Sequence, residues 1–246
     1  MVITRLNKEI QEQNWVSVLV DLLIVIIGLF SGLQADSWWQ QYQDSLQEQT
    51  YLLELREDFN GNQDLFEGAI EEGERVLSDM VSLLEQAKQA APTLDPSELD
   101  ERLSSLQSMP TFIPISRAFD ILSGSGDLAI LSNRNLKNSL ADFYSFAKVI
   151  ELVQGTHEQQ LVHTFQPYLS ANTEIARLMI SWEEEGVSGL PEPVSNSGIS
   201  DLTSTRGFRN IVIEKYYSTR DLNDLHKSLQ EVNAEILGFL ESEIGK

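Results

Sequence analysis

The side chains able to do chemistry are few, and their spacing tests each possible use. The histidines are His157, His163 and His226. His157-Glu158 opens like the helix of a zinc protease, but the second ligand belongs four residues on, where Leu161 stands. His163 falls about 120° around a helix from His157, so the two cannot grip one ion on a straight helix. Asp58-Phe-Asn60-Gly-Asn62-Gln-Asp64 spaces its oxygens like a calcium loop. Gln63 takes the glycine position, however, and Ala69 that of the bidentate glutamate, so a solvated helix face is preferred. Gly124-Ser-Gly126-Asp-Leu-Ala129 spells a dinucleotide fingerprint without the preceding strand that motif needs, and reads as a helix stop. Glu183-Glu184-Glu185 reads as a solvated helix end. With no cysteine, thiolate nucleophiles, disulfides and Cys-type zinc sites are excluded. The sequence has no nucleophile elbow, P-loop or kinase signature. No cofactor, metal or catalytic residue is expected.

One carboxylate stands where charge is costly. Asp21 is the sole formal charge between Val16 and Ala35. A helix of about 20 residues spans ~30 Å, the hydrocarbon thickness of a bilayer. Trp15 at one end, with Trp38, Trp39 and Tyr42 at the other, form the aromatic belt of a transmembrane helix over 15–36. Asp21 lies ~9 Å inside the Trp15 boundary, too deep for its short side chain to reach the surface. A carboxylate at mid-membrane costs about 2.5–3.5 kcal/mol, so such a group faces protein, a watery cavity, or is protonated. Asp21, Val25, Gly28, Gly32 and Ala35 fall on one helical stripe, and Gly28 to Gly32 is a GxxxG pattern. Small residues let backbones approach, which marks this stripe as the contact face of a homo-oligomer.

Flanking sequence sets the topology. The apolar run exceeds the about 7–15 residues of a signal peptide core, and a cut after Ala35 would place bulky Leu33 where a small residue is preferred. The span is therefore expected to stay as an anchor. Arg5, Lys8 and the terminal amine precede it, whereas Asp36, Asp44, Glu48 and Glu54 come before the next basic residue, Arg56. Positive-inside counting puts the N-terminus in the cytoplasm and residues 36–246 outside. Val2, Ile3, Leu6 and Ile10 share one face of residues 1–14, which suits a helix lying at the cytoplasmic interface.

Charge narrows the partners. Lys and Arg number 17 against 38 Asp and Glu, a net −21. Nucleic acid is excluded, because phosphate binding needs clustered cations, and the ectodomain is not expected to lie on anionic lipid. The acidity suits a solvated surface.

Two resemblances bear on the span. Asp21-Leu-Leu-Ile-Val resembles the run that opens type IV pilins, but Val16 and Ser17 stand where the pilin leader requires glycine, and no strand-rich head follows. The second is more extensive. Asp21, Gly28, Leu33-Gln34-Ala35-Asp36-Ser37-Trp38, Tyr51-Leu52 and Glu57-Asp58 match the pattern of an acid in the span, a glycine, then Leu-Gln-x-Asn-x-Trp and a charged helix. Asp36 replaces the usual Asn. Ser123-Gly-Ser-Gly-Asp-Leu128 through Tyr144, and Gly207-Phe-Arg-Asn210, extend the match over most of the chain. The sequence thereby resembles a family of uncharacterised bacterial single-pass membrane proteins, a domain of unknown function. That resemblance implies a helical domain anchored in a bacterial inner membrane, its outer part then periplasmic, and supplies no activity.

The rest of the chain reads all-α. Leu52, Leu55, Phe59, Phe66, Ile70, Leu77, Met80, Leu84 and Ala87 give residues 37–91 a helical period, as a stalk and first bundle helix with a kink at Asn60-Gly61-Asn62. Asp95, Pro96 and Glu98 restart a helix to about Gln107, and Met109 to Pro114 is extended by its prolines. Ser116 to Leu122 makes a short helix. Ser132 can cap the next, with Leu136, Leu140, Phe143, Tyr144, Ala147, Ile150, Leu152, Leu161 and Phe165 inward. Pro167 should kink or end it, with a further stretch to about Glu185. Residues 186–200 read as a flexible loop. A last helix from about Ser204 to Ile244 turns Phe208, Ile211, Val212, Tyr216, Leu222, Leu225, Leu229, Val232, Ile236, Leu237 and Leu240 inward. Residues 92–246 are thus expected to complete a helical bundle outside the cytoplasm.

The functional expectation is a non-enzymatic, lipid-anchored oligomer presenting an acidic helical domain to a protein partner or signal. The alternative is a cation conduit ringed by Asp21. One polar side chain per span makes a poor pore lining, which ranks binding above conduction.

Overall fold

The computed structural model describes residues 15–89, 94–178 and 199–245, and these residues are helical with no strand among them. The helices are α1 (Trp15–Gln86), α2 (Pro96–Ser104), α3 (Arg117–Ser125), α4 (Arg134–Gln160), α5 (Gln166–Asn172), α6 (Ile175–Leu178), α7 (Ile199–Ser204) and α8 (Arg206–Glu243). A 3₁₀ turn, Asp127–Ala129, follows α3, and a π turn, Leu161–Phe165, joins α4 to α5. The chain divides into two compact units, Met1–Tyr51 and Leu52–Lys246. The interfacial helix expected over residues 1–14 lies outside the described residues.

In the first unit the described residues form helix throughout, and every side chain from Leu19 to Gln47 is exposed. Among the described residues this is the one helix long and apolar enough to cross a membrane.

In the second unit the long helices carry one repeating pattern. Leu55, Phe59, Asn62, Phe66, Ala69, Gly73, Val76, Met80, Leu83 and Ala87 are buried, in steps alternating four and three. The same alternation buries Leu136, Leu140, Phe143, Ala147, Ile150 and Gln154 of α4. It recurs in α8 from Phe208 through Val212, Lys215, Thr219, Leu222, His226, Leu229, Asn233, Ile236 and Leu240. A 3.5-residue repeat holds a narrow seam against a neighbouring helix over many turns. Asn233 Nδ2 donates to Phe59 O, and Lys227 pairs with Glu74, so α8 runs antiparallel to α1. Asn133 Nδ2 bonds Glu243, and Gln154 meets His226, so α4 and α8 are antiparallel too. Phe59 packs on Phe143 at 4.9 Å between ring centroids, joining α1 to α4. Short elements close one part of the seam: Leu99, Leu103, Leu169, Leu178 and Leu202 pack with Val76, Met80, Leu83 and Phe208.

Local signals place the helix ends. Asp95 accepts from Ser97 N and Glu98 N while Glu98 reaches back to Asp95 N, a complete capping box. Gly126 stops α3 at φ +83°, left-handed backbone that a side chain would strain.

Several expectations change. The helix continues without interruption through Asn60-Gly61-Asn62, where a kink is predicted. Ile70, Leu77 and Leu84 are only half-buried, because the 3.5 repeat selects their neighbours Ala69, Val76 and Leu83. Asn133, not Ser132, caps α4, its side chain accepting from Asn135 N and Leu136 N. Leu152 is 73 % exposed instead of inward. The helix after Pro167 ends at Asn172. Ahead of Pro167 the π turn widens the backbone, with Gln166 N–H reaching Leu161 O; a proline inside regular helix would instead crowd the carbonyl four residues back. The end of the predicted stretch to Glu185, with Glu183-Glu184-Glu185, lies outside the described residues, as does the loop 186–200 up to residue 198. Ile199 and Ser200 of that loop begin α7.

Candidate functional site

Asp21, Val25, Gly28, Gly32 and Ala35 fall on one continuous helix within an arc of about 80°, and all are exposed. A Cβ added at Gly28 or Gly32 would meet nothing within 4 Å, so this chain leaves the stripe open. Trp38, Trp39 and Tyr42 are exposed, with Trp39 and Tyr42 rings 6.1 Å apart. Trp15 opens the helix; its side chain lies outside the described residues.

A second site, invisible in the sequence, lies within the second unit. The extended residues 109–116 form a strap held at two points by side-chain amides. Gln154 accepts from Phe112 N (2.7 Å) and donates to Phe112 O (3.1 Å). Asn62 does the same for Ile115, accepting from its N–H at 2.7 Å and donating to its carbonyl at 3.1 Å. The Tyr144 hydroxyl donates to Ile115 O. Prolines at 110 and 114 keep the strap out of helix geometry, so its backbone polar groups need such partners. Phe112 stacks on Phe66 at 3.9 Å, fixing the strap to the seam. Asp58 then takes the start of α3, accepting from Arg117 Nη2 (2.9 Å) and Ala118 N (2.8 Å). The Asp58–Asp64 stretch is therefore only in part the solvated face its letters suggest: Asn60 and Asp64 are exposed, but Asp58 and Asn62 are buried and bonded to residues 115–118.

Between the strap and α4 opens a cleft of ≈ 660 Å³. Phe112, Phe119, Tyr144 and Ala147 supply apolar walls; Asp120, Glu151, Glu158 and Lys148 supply charge. Phe119 and Tyr144 stack at 4.2 Å. Burial first, then Asp58 and Asp120, raises the Tyr144 phenol's pKa, which keeps it a donor to Ile115.

Behind the strap, α8 carries polar residues in its buried seam. Lys215 Nζ donates to Ser108 O and lies 5.2 Å from the Phe165 ring centroid. Burial pulls its pKa down to about 8, against the pull of Glu72. His226 is fully buried beside Gln154, and desolvation, then His157, lowers its pKa to about 4. His157 itself is lowered by desolvation, then Lys215. Among the described residues no three His, Asp or Glu side chains gather where they could hold a metal. Sequence reasoning missed Gln154, Asn62, Lys215 and His226 as inner residues; their positions in the 3.5 repeat were the available signal.

Neither a family model, nor a curated protein, nor a solved structure matches this chain.

Proposed function

We propose that the chain is a non-enzymatic single-pass membrane protein, of the uncharacterised bacterial family its sequence resembles. In this reading it is oligomeric through Asp21, Val25, Gly28, Gly32 and Ala35. It holds an acidic helical bundle in the periplasm, with its N-terminus in the cytoplasm, to bind a partner or signal.

One observation carries the reading. From Leu19 to Leu33 the large apolar side chains are exposed, whereas the second unit buries a core of its own. Removing a Leu, Ile or Val side chain from water is worth about 1.5–3 kcal/mol, so a helix bearing this many in the open is driven into lipid. Asp21 on the same face as two glycines supports association, since a partner helix can approach there and shelter the carboxylate.

A carbonate wash of membranes containing the full chain tests the anchor: the protein should stay with the vesicles, and its release would defeat the reading. Cross-linking in the same membranes tests the stripe. Gly28→Leu and Gly32→Leu should each reduce the cross-linked oligomer several-fold while leaving the chain in the membrane. Unchanged oligomer in both would reject the assigned face.

A further inference from the structure

We propose that the cleft between the strap and α4 binds a small organic cation, an ammonium carried on an apolar or aromatic body. The proposal deepens the partner-binding reading above and rests on it.

Size and shape come first. At ≈ 660 Å³ the cleft falls in the ~300–1,000 Å³ range of small-molecule sites. Its walls are set in advance. Gln154 and Asn62 each hold a strap residue at both its N–H and its carbonyl, and Tyr144 adds a third tie. A ligand entering a site already built does not bear the cost of ordering it.

Chemistry selects the ligand. The lining carries three aromatic rings: Phe119, half-buried, stands at the surface of the cleft, with Tyr144 stacked behind it and Phe112 buried at its base. Ring faces attract ammonium groups and stack on flat apolar bodies. Around them stand three carboxylates, Asp120, Glu151 and Glu158, against one ammonium, Lys148. An anion would meet this excess negative charge, and a neutral molecule would leave it unanswered. A cation answers it.

The same charge argues against macromolecular occupants from this chain. A second copy, even one held nearby through the membrane stripe, carries a net −21 and so brings no net positive charge to match the acidic mouth. Residues 179–198 contain Glu183, Glu184, Glu185 and Glu192 and no Lys or Arg, which makes that segment a poor match to an acidic mouth.

The full chain, reconstituted in nanodiscs of zwitterionic lipid, is equilibrated by dialysis with 4-phenylbutylammonium, 4-phenylbutanol and 4-phenylbutyrate, with empty nanodiscs as background. The ammonium compound should bind saturably, about tenfold more tightly than the carboxylate of the same body. Glu151→Gln with Glu158→Gln should weaken it about fivefold. Lys148→Glu should strengthen it several-fold, a gain that misfolding cannot imitate. Gly155 lines the cleft, and a Cβ added there would meet nothing within 4 Å. Gly155→Phe should therefore fill the mouth and abolish binding with the helical circular dichroism unchanged. Equal binding of all three compounds, or no gain in Lys148→Glu, would overturn the proposal. Carbonate washing of the same protein separates the two readings. Retention without ligand binding sinks the cleft alone; ligand binding by protein that washes off sinks the anchor alone.

Discussion

His226 shows how one buried side chain couples the core to pH. Its ring is fully buried beside Gln154, whose amide grips the strap at Phe112, and against the ring of Phe112 itself. Desolvation, with His157 as the nearby like charge, sets its folded pKa at about 4, below the 6.5 of an unstructured histidine. A depressed histidine pKa means that the unfolded chain takes up the proton first. Stability is therefore full above about pH 6.5 and declines as pH falls toward 4, by about 3 kcal/mol at most. Denaturant midpoints measured from pH 8 to pH 4 should follow that decline. His226→Leu should remove much of the slope, while leaving the carboxylate contributions at lower pH. An identical slope in the variant would show that His226 does not hold its neutral form in the fold.

At the scale of the element, the contact between α1 and α8 depends on a residue with no side chain. A Cβ at Gly73 would lie 2.5 Å from Asn223 Oδ1 and 2.8 Å from its Cγ, closer than real contacts allow. Two helices in a 3.5 repeat approach to about 8–10 Å, and the small residue sets where they come nearest. Gly73→Leu should destabilise the protein by about 1–3 kcal/mol through overpacking, read as a lowered denaturant midpoint. Pairing it with Asn223→Ala should recover part of the loss, because the clashing amide is gone. If Gly73→Leu were as stable as the parent, this approach of α1 to α8 would be wrong.

At the scale of the whole molecule, the exposed apolar helix and the self-contained core are physically distinct parts. The second unit begins at Leu52 and buries large side chains of its own, among them Phe59, Phe66, Phe143 and Phe208. Deleting residues 1–36 removes the apolar run and its stripe. The shortened chain should then be soluble without detergent and strongly helical by circular dichroism. By light scattering it should be less oligomeric than the full protein. Substantial strand signal, or undiminished assembly, would contradict this division of roles.

What the sequence determined by itself is what depends on neighbours along the chain. The apolar run, the capping box at Asp95, the stop at Gly126 and the helical period of the long segments all arise from residues within a few positions of each other. The tertiary structure alone decided what the inner polar side chains bond to. Asn62, Gln154, Lys215 and His226 read as outward-facing in isolation, since an unpartnered polar group is costly to bury. They lie inside because their partners arrive from elsewhere: Ile115 for Asn62, Phe112 for Gln154, Ser108 for Lys215 and Gln154 for His226. The cleft exists only where those distant pairings fold the strap beside α4. No local pattern encodes it: the 3.5 repeat marks Asn62, Gln154, Lys215 and His226 as inner positions, but a hydrogen-bond partner far along the chain leaves no mark on either segment.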